Sequence, residues 1–168
     1  MIETRQLSLC RPIVEDYQIL SELWKNKRVR QFLGGVVADE EINKKLIAIQ
    51  KHWDQHDFGL FSVCNKNSKE IIGMCGLYCS ESNIELSYML FPEYWGKGMA
   101  VEAILVCICY GFEILKLEEI IAITQEANRS SWKLLEKIGM RHIETISKFN
   151  AIQRVYNLTK TEQLISAK

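Results

Sequence analysis

Apolar and polar residues repeat along the chain with two different periods, which separate predicted strands from predicted helices. Residues 4–12 set Leu7 and Leu9 between polar neighbours, the period of two that indicates a half-buried strand, and Pro12 ends it. Residues 13–26 and 39–56 repeat large apolar side chains every three or four positions, as an amphipathic helix does. Asp39 is the predicted N-cap of the second helix.

From residue 58 onward, short apolar runs bounded by polar turns predict a sheet. Residues 60–64 and 71–78 form a predicted hairpin, and residues 84–91 alternate in polarity until Pro92. The remaining elements are a strongly apolar helix over 98–115, a β-branched strand over 119–124, a helix over 128–138 closed by Gly139, and strands over 140–148 and 154–160. The order β-α-α-β-β-β-α-β-α-β-β predicts an α/β fold around a mixed sheet.

The composition is typical of a globular protein. Of the 168 residues, 48% are hydrophobic and 25% charged, and 21 basic residues balance 21 acidic ones. A chain of about 150 residues can bury roughly 70% of its extended surface without cross-links, so residues 1–168 are predicted to form a single domain. The balanced charge gives no overall field that would attract nucleic acid or an anionic membrane, and neither is an expected partner.

The longest apolar run is shorter than a membrane span. It covers residues 103–112, whereas a span needs about 20 residues, and the start of the chain carries charge without an apolar signal core. A cytoplasmic location is therefore expected. The cysteines lie among apolar neighbours and are predicted to be buried thiols: Cys10, Cys64, Cys75, Cys79, Cys107 and Cys109.

Metal binding is not expected. His52 and His56 stand one helical turn apart, but the zinc-protease pattern requires Glu where Trp53 stands, and the sequence offers no evident third ligand. Two surface histidines are the favoured interpretation. Neither the pair Cys107 and Cys109 nor the pair Cys75 and Cys79 has the spacing of a chelate on its predicted helix or strand.

A glycine-containing loop over residues 93–100 joins the predicted strand 84–91, which has one polar face, to the apolar helix predicted over 98–115. Backbone N–H groups at such a helix start can hold an anion, and Gly96 and Gly98 would let a phosphate approach. A flexible strand-to-helix turn gives the same pattern. The dinucleotide-binding fingerprint is excluded because it needs a third glycine where Val101 stands, and the P-loop is excluded because Gly-Lys-Ser/Thr is absent.

A second motif, in the helix over 128–138, makes a family resemblance visible. The two motifs are Tyr94-Trp95-Gly96-Lys97-Gly98-Met99-Ala100-Val101-Glu102-Ala103 and Asn128-x-x-Ser131-x-x-x-Leu135-Glu136-Lys137-x-Gly139-Met140. Together, in this order, they resemble the GNAT superfamily of acetyl-CoA-dependent N-acetyltransferases. Residues 4–12 are similar to the first strand of the branch containing ribosomal-protein N-terminal alanine acetyltransferases. The resemblance covers nearly the whole chain and implies a single-domain, mainly antiparallel, splayed sheet flanked by helices.

The resemblance also implies acetyl-CoA as co-substrate. Its pantetheine arm would lie between strands 84–91 and 119–124, and a backbone N–H near Met89 or Leu90 would polarise the thioester carbonyl. The pyrophosphate would sit on backbone N–H groups of Trp95, Gly96, Lys97, Gly98, Met99 and Ala100. The family usually has Gln or Arg where Glu93 stands, so that side chain is expected to point away from phosphate. Lys137 could reach the adenosine phosphate or be simply solvated.

Acetylation of an amine requires removal of a proton, a polarised carbonyl and an acid for the leaving thiolate. Glu85 is the first candidate base, acting through water, with a solvated strand carboxylate as its alternative. Asn128 would bind the cofactor arm or an ordered water, which is compatible with an N-cap role. Ser131 is a candidate proton donor, or else it caps the first helical turn. Tyr88 is the alternative acid, or else it is packed in the core.

The predicted activity is direct transfer of the acetyl group to a primary amine, with a protein N-terminal α-amine as the leading acceptor. Alternatives are a polyamine, amino acid or aminoglycoside acceptor, and a non-catalytic acyl-CoA-binding or docking module. Residues 24–35 and 149–154 are expected to contact the acceptor. The basic residues Lys25, Lys27, Arg28 and Arg30 would dock a partner or form a solvated face. The protein would be a monomer or a homodimer, with the last strand, Trp24, Trp53 and Trp95 as candidate contacts.

Overall fold

The computed structural model describes residues 1–80 and 83–162. The strands of this part are β1 (Ile2–Glu3), β2 (Leu7–Cys10), β3 (Leu60–Asn65), β4 (Ile71–Ser80), β5 (Asn83–Leu90), β6 (Glu119–Gln125), β7 (Arg141–Lys148) and β8 (Ala151–Thr159). Its α-helices are α1 (Tyr17–Lys25), α2 (Lys27–Arg30), α3 (Asp39–His56), α4 (Met99–Glu113) and α5 (Arg129–Lys137). The predicted mixed α/β fold is confirmed.

The strands form one sheet in the order β1-β2-β3-β4-β5-β6-β8-β7. Neighbouring strands are antiparallel except β5 and β6, which are parallel. The last strand, β8, enters between β6 and β7, so it is not exposed for a partner chain as the sequence suggested. The prediction that Trp24 and Trp53 contact a partner chain is also wrong, because they are only 4% and 7% exposed. Trp95 is 43% exposed.

The first part of the chain is more divided than its periodicity predicts. Residues 4–12 are not one strand, because β1 and β2 pair antiparallel around a turn in which the Thr4 hydroxyl accepts a hydrogen bond from the Leu7 N–H at 2.9 Å. The predicted helix over 13–26 contains a 3₁₀ turn (Val14–Asp16) followed by α1. Asn26 then has an extended backbone, and its side chain caps α2 by accepting from the N–H groups of Arg28 and Val29.

Two further boundaries differ from the sequence pattern. Helix α3 begins at Asp39, which leaves Ala38 at the N-cap, and the Asp39 carboxylate pairs with Lys25 Nζ at 2.8 Å instead. Strand β8 begins at Ala151 rather than at residue 154. Phe149 and Asn150 both have positive φ, 55° and 57°, and so form a two-residue hairpin turn directly after β7.

Helices cover both faces of the sheet. Helix α4 buries Ile104, Cys107 and Phe112 on one face, and α1 and α3 bury Leu20 and Leu46 on the other. No helix in the described ranges is long and apolar enough to cross a membrane. Cys75 and Cys107 are fully buried, and Cys10 and Cys64 are half-buried. Cys79 and Cys109 are exposed, which corrects the prediction of buried thiols for these two.

The buried face of α4 should carry much of the stability of the fold. We expect Ile104→Ala to lower the free energy of unfolding by about 2–5 kcal/mol, because Ile104 is 0% exposed and its loss leaves a cavity. The matched change Leu105→Ala, at a side chain 43% exposed on the same helix, should cost about 0.5 kcal/mol or less. Urea unfolding measures both, and equal losses would contradict the assigned face.

Candidate active site

The parallel strands β5 and β6 pair at a single register position, Glu85 with Ile121, and then separate. The resulting V-shaped opening lies within a cleft of about 960 Å³. The cleft is lined by both strands, by the glycine loop, by the start of α5, by α2 with the loop after it, by one face of α3, and by the β7–β8 turn. An extended ligand could therefore lie along β5 where β6 has moved away.

Strand register decides which backbone groups of β5 face this opening. Phe91 donates its N–H to Ile72 O at 2.9 Å, so Phe91 and alternate residues before it, including Met89, are hydrogen-bonded to β4. The N–H groups of Leu90 and Tyr88 consequently point toward the β6 side. Of the two predicted carbonyl donors, Leu90 has its N–H toward the cleft, whereas the N–H of Met89 belongs to the β4 ladder.

The glycine loop presents a run of unpaired donors. In the described chain, the N–H groups of residues 96–101 donate to no backbone carbonyl; the first helical bond of α4 runs from Glu102 N to Gly98 O. Gly96 and Gly98 have φ values of 71° and 78°, and a Cβ added at either would meet nothing within 4 Å. Six free donors at the start of a 15-residue helix, beside glycines that leave open space, fit a diphosphate.

Trp95 differs from its predicted role as a backbone donor. Its N–H is already donated to Pro92 O at 3.2 Å, so the free donors begin at Gly96. The indole N–H donates to Leu90 O at 2.7 Å, which fixes the ring at the end of β5. The Arg28 guanidinium lies over this ring, 5.2 Å from its centroid, and both side chains line the cleft.

Tyr88 and Ser131 meet across the cleft. Their hydroxyl oxygens are 2.7 Å apart, and Asn128 holds Ser131 in place by capping α5, with its side-chain oxygen accepting from the Ser131 N–H. Burial raises the pKa of Tyr88 to about 12, against the opposing effect of the Ser131 hydrogen bond. Tyr88 is therefore protonated at neutral pH. Ser131 therefore contacts Tyr88, an interaction that was part of neither role predicted for Ser131, the proton donor or the helix cap.

Glu85 lies on the opposite face of β5 from Tyr88 and also lines the cleft. Burial raises the pKa of Glu85 and outweighs the hydroxyls of Tyr78 and Ser80 and the positive charge of Lys148, which lower it. Tyr78 is the register partner of Glu85 on β4, and burial together with the Glu85 charge raises the pKa of Tyr78 far above its usual range. A carboxylate with a raised pKa, held among hydroxyls, is suited to accept a proton.

Sequence reasoning missed Tyr78 and Ser80. The signal that could have found them is the small number of residues that separate the two predicted strands in the sequence, since that number limits which residues can face one another in a hairpin. Tyr78 also borders a small apolar pocket of about 190 Å³ with Leu60 and three residues of α3: Ala48, Ile49 and His52.

Five predicted residues stand apart from the cleft lining: Glu93, Lys97, Gly98, Met99 and Lys137. Lys137 is exposed at the last position of α5, Lys97 lies over the Tyr94 ring, and Met99 is buried in the core. The exposed Glu93 is also outside the lining, which agrees with its expected orientation. The predicted roles of Lys97 and Met99 concern their backbone N–H groups, which are among the free donors of the loop. The adenosine-phosphate role of Lys137 stays a prediction.

The two histidines of α3 do have a third potential metal ligand beside them. Donor atoms of His52, His56 and Cys79 lie within 4.8 Å of one another, so the expectation of no third ligand was wrong. Both ring nitrogens of His52 are already used, however: Nδ1 donates to Phe58 O at 2.8 Å, and Nε2 accepts from the Cys79 N–H at 2.9 Å. The half-buried His52 thus ties the end of α3 to the end of β4.

Comparison with known proteins places the chain in a family of acetyltransferases. The family model for the acetyltransferase (GNAT) domain matches residues 6–141. The uncharacterized N-acetyltransferase p20 of Bacillus licheniformis is 29% identical over 144 residues, which cover 82% of this chain and 80% of the relative. An acetyltransferase of the GNAT family from Bacillus anthracis superposes with a TM-score of 0.83 at 24% identity, covering 96% of this chain and 99% of that one. A spermidine N-acetyltransferase from Vibrio cholerae, solved with CoA and spermine, has a TM-score of 0.83 at 20% identity, covering 96% and 99% of the two chains.

The fold and the family match define an acyltransferase, and GNAT acetyltransferases use acetyl-CoA. The chain belongs to the GNAT family of acetyltransferases, because the family match spans most of its length. The narrower resemblance to ribosomal-protein N-terminal alanine acetyltransferases and a protein N-terminal acceptor stay predictions.

A charge at the glycine loop should weaken cofactor binding. Asp and Asn tolerate positive φ better than other non-glycine residues, so Gly98→Asp and Gly98→Asn should both fold. We expect the Asp variant to bind CoA about tenfold more weakly than the Asn variant, because a carboxylate near a phosphate costs about 1–4 kcal/mol. Calorimetric titration measures both affinities. Equal affinities would place the diphosphate elsewhere.

Proposed function

We propose that this protein transfers the acetyl group of acetyl-CoA directly to a primary amine of a small molecule. The observation that carries the proposal is that Glu85 and Tyr88, from opposite faces of β5, line one cleft together with Gly96 and Ala100 of the glycine loop, whose N–H groups donate to no backbone carbonyl. A small-molecule acceptor is supported by the small apolar pocket next to Tyr78 and by the spermidine N-acetyltransferase among the similar structures.

Residues already described would hold acetyl-CoA. The N–H groups of residues 96–101 would bind the diphosphate, with Arg28 beside them on the Trp95 ring. The pantetheine arm would follow the part of β5 that β6 leaves unpaired. The N–H groups of Leu90 and Tyr88 face this space, and either could donate to the thioester oxygen as negative charge develops there.

Glu85 would receive the proton of the attacking amine, through water. The new bond joins the amine nitrogen to the acetyl carbon, and the bond that breaks is the thioester C–S bond. Because burial raises its pKa, Glu85 is a stronger base than an exposed carboxylate. The hydroxyls of Tyr78 and Ser80 stabilise the ionised form that must be present before attack.

Tyr88 would donate the proton that the departing sulfur needs. Its pKa of about 12 keeps the hydroxyl protonated at the pH of the reaction, and Ser131 orients it at 2.7 Å. Proton exchange with solvent then returns Glu85 and Tyr88 to their starting states. The overall reaction gives an amide and CoA thiol, with no covalent intermediate on the protein.

The proposed function is tested by thiol release from acetyl-CoA in the presence of small primary amines, with short peptides as the competing acceptor class. We expect small amines to be acetylated and peptides to react slowly. Glu85→Gln should retain CoA affinity and lose at least about 100-fold in kcat, because the base is gone. Binding of acetyl-CoA without turnover of any acceptor would contradict an enzyme, and faster reaction of peptides would restore the N-terminal acceptor.

Removing the Tyr88 hydroxyl should lower the rate of the chemical step without changing cofactor binding. We expect Tyr88→Phe to lower kcat by about 100-fold to 10,000-fold with the affinity for CoA unchanged, since general acids contribute that much. Ser131→Ala should have a smaller effect, because the phenol remains. Tyr110→Phe, on α4 and outside the cleft lining, is the matched control. A Tyr88→Phe enzyme with normal kcat would assign the acid role to another group.

A further inference from the structure

The part of the cleft lined by α2, α3 and the end of β7, which we call the acceptor half, carries more positive than negative charge. Arg30 of α2, Lys45 of α3 and Lys148 of β7 line it, and Glu85 is the one carboxylate among the described lining residues. Arg30 is half-buried, and its guanidinium donates to the carbonyls of Leu33 and Gly35, which holds the loop after α2 over the cleft. An acceptor in this half would therefore meet a field that attracts anions and repels cations.

One face of α3 connects this charge to the small apolar pocket. Lys45, Ala48, Ile49 and His52 follow the spacing i, i+3, i+4 and i+7, which places them on one side of the helix. The last three line the small pocket together with Tyr78, whose hydroxyl interacts with Glu85. Lys45 lies one turn earlier, and its side chain is exposed. The cleft thus runs from the candidate base, past an apolar wall, to a cation.

The acidic residues of the neighbouring segments do not offset this charge. Asp39 and Glu22 pair with Lys25 at 2.8 and 3.5 Å, and Glu41 pairs with Lys44 at 2.5 Å. None of these carboxylates lines the cleft. Of the three acidic residues in the first turn of α3, Asp39 and Glu41 are thus paired with lysines outside the cleft lining, and Glu40 is outside the lining as well.

We propose that the acceptor carries an anionic group, such as a carboxylate, separated from its primary amine by an apolar segment. The amine lies at Glu85, the apolar segment lies against Ala48, Ile49 and Tyr78, and the anion lies at Lys45 with Arg30 nearby. This inference rests on the proposed function and narrows its substrate class. A polyamine would place a second positive charge among these cations, and the site would select against it.

Three probes with the same six-carbon chain test the inference: 6-aminohexanoate, hexylamine and 1,6-diaminohexane. Their amines have similar basicity, so only the charge at the far end differs. We expect kcat/KM to be highest for 6-aminohexanoate and about tenfold or more lower for 1,6-diaminohexane. Lys45→Glu should reverse this order. Lys44→Glu, at the neighbouring exposed lysine outside the cleft, should leave it unchanged, with circular dichroism confirming that both variants fold.

The outcomes separate the two proposals. Failure of the protein to acetylate any amine, although it binds acetyl-CoA, contradicts the proposed function itself. Three results overturn the inference and leave the acetyltransferase function standing. They are equal kcat/KM for the three probes, a preference for the diamine, and reaction of hexylamine without reaction of 6-aminohexanoate. An unchanged preference in Lys45→Glu also overturns it.

Discussion

The limited pairing of β5 with β6 is the constraint on which the rest of the site depends. A full parallel ladder would consume the N–H groups of Leu90 and Tyr88 and close the space between the strands. Because the two strands are parallel, they end at the same edge of the sheet, and the helix that follows each one begins there. The N-terminus of α4 with its glycine loop and the N-terminus of α5 with Asn128 are therefore brought to the open end of one cleft. Separation of the two strands thus creates both the cleft and the end of it that we propose binds the diphosphate.

The same separation allows residues from opposite faces of β5 to act together. Glu85 and Tyr88 are three positions apart, so a continuous sheet would place its own thickness between them. At the opening, both side chains reach the ligand space, one from each side of the plane. Burial raises the pKa of both groups, but the consequences differ. The carboxylate of Glu85 becomes more basic, whereas the hydroxyl of Tyr88 stays protonated. In the proposed mechanism, the division between base and acid follows from where each residue lies on the strand.

The sequence predicts the parts of this arrangement that local pattern encodes. Apolar periodicity locates most strands and helices, and the glycines of the loop and the spacing from Asn128 to Ser131 carry the resemblance to the GNAT family. Pattern alone does not choose between Met89 and Leu90, because that choice depends on the register of β4 against β5. It also does not show that β8 inserts between β6 and β7, nor that Lys45 and Tyr78 share a pocket, since both facts depend on contacts between distant segments. Asn26 is an intermediate case: its capping preference is local, but the periodic residues around it conceal the break between α1 and α2.

The chain is neutral overall, but its charged residues are unevenly distributed over the structure. The chain has 21 basic and 21 acidic residues, yet ion pairs on the outer faces of α1 and α3 hold Glu22, Asp39 and Glu41, while Arg28, Arg30 and Lys45 line the cleft. Two anionic ligands in one cleft would repel each other, so each needs its own source of positive potential. The glycine loop with Arg28 supplies it at the cofactor end, and Lys45 with Arg30 supplies it at the acceptor end. Between them lies Glu85, whose single negative charge would, in the proposed reaction, attract the positively charged amine and accept its proton.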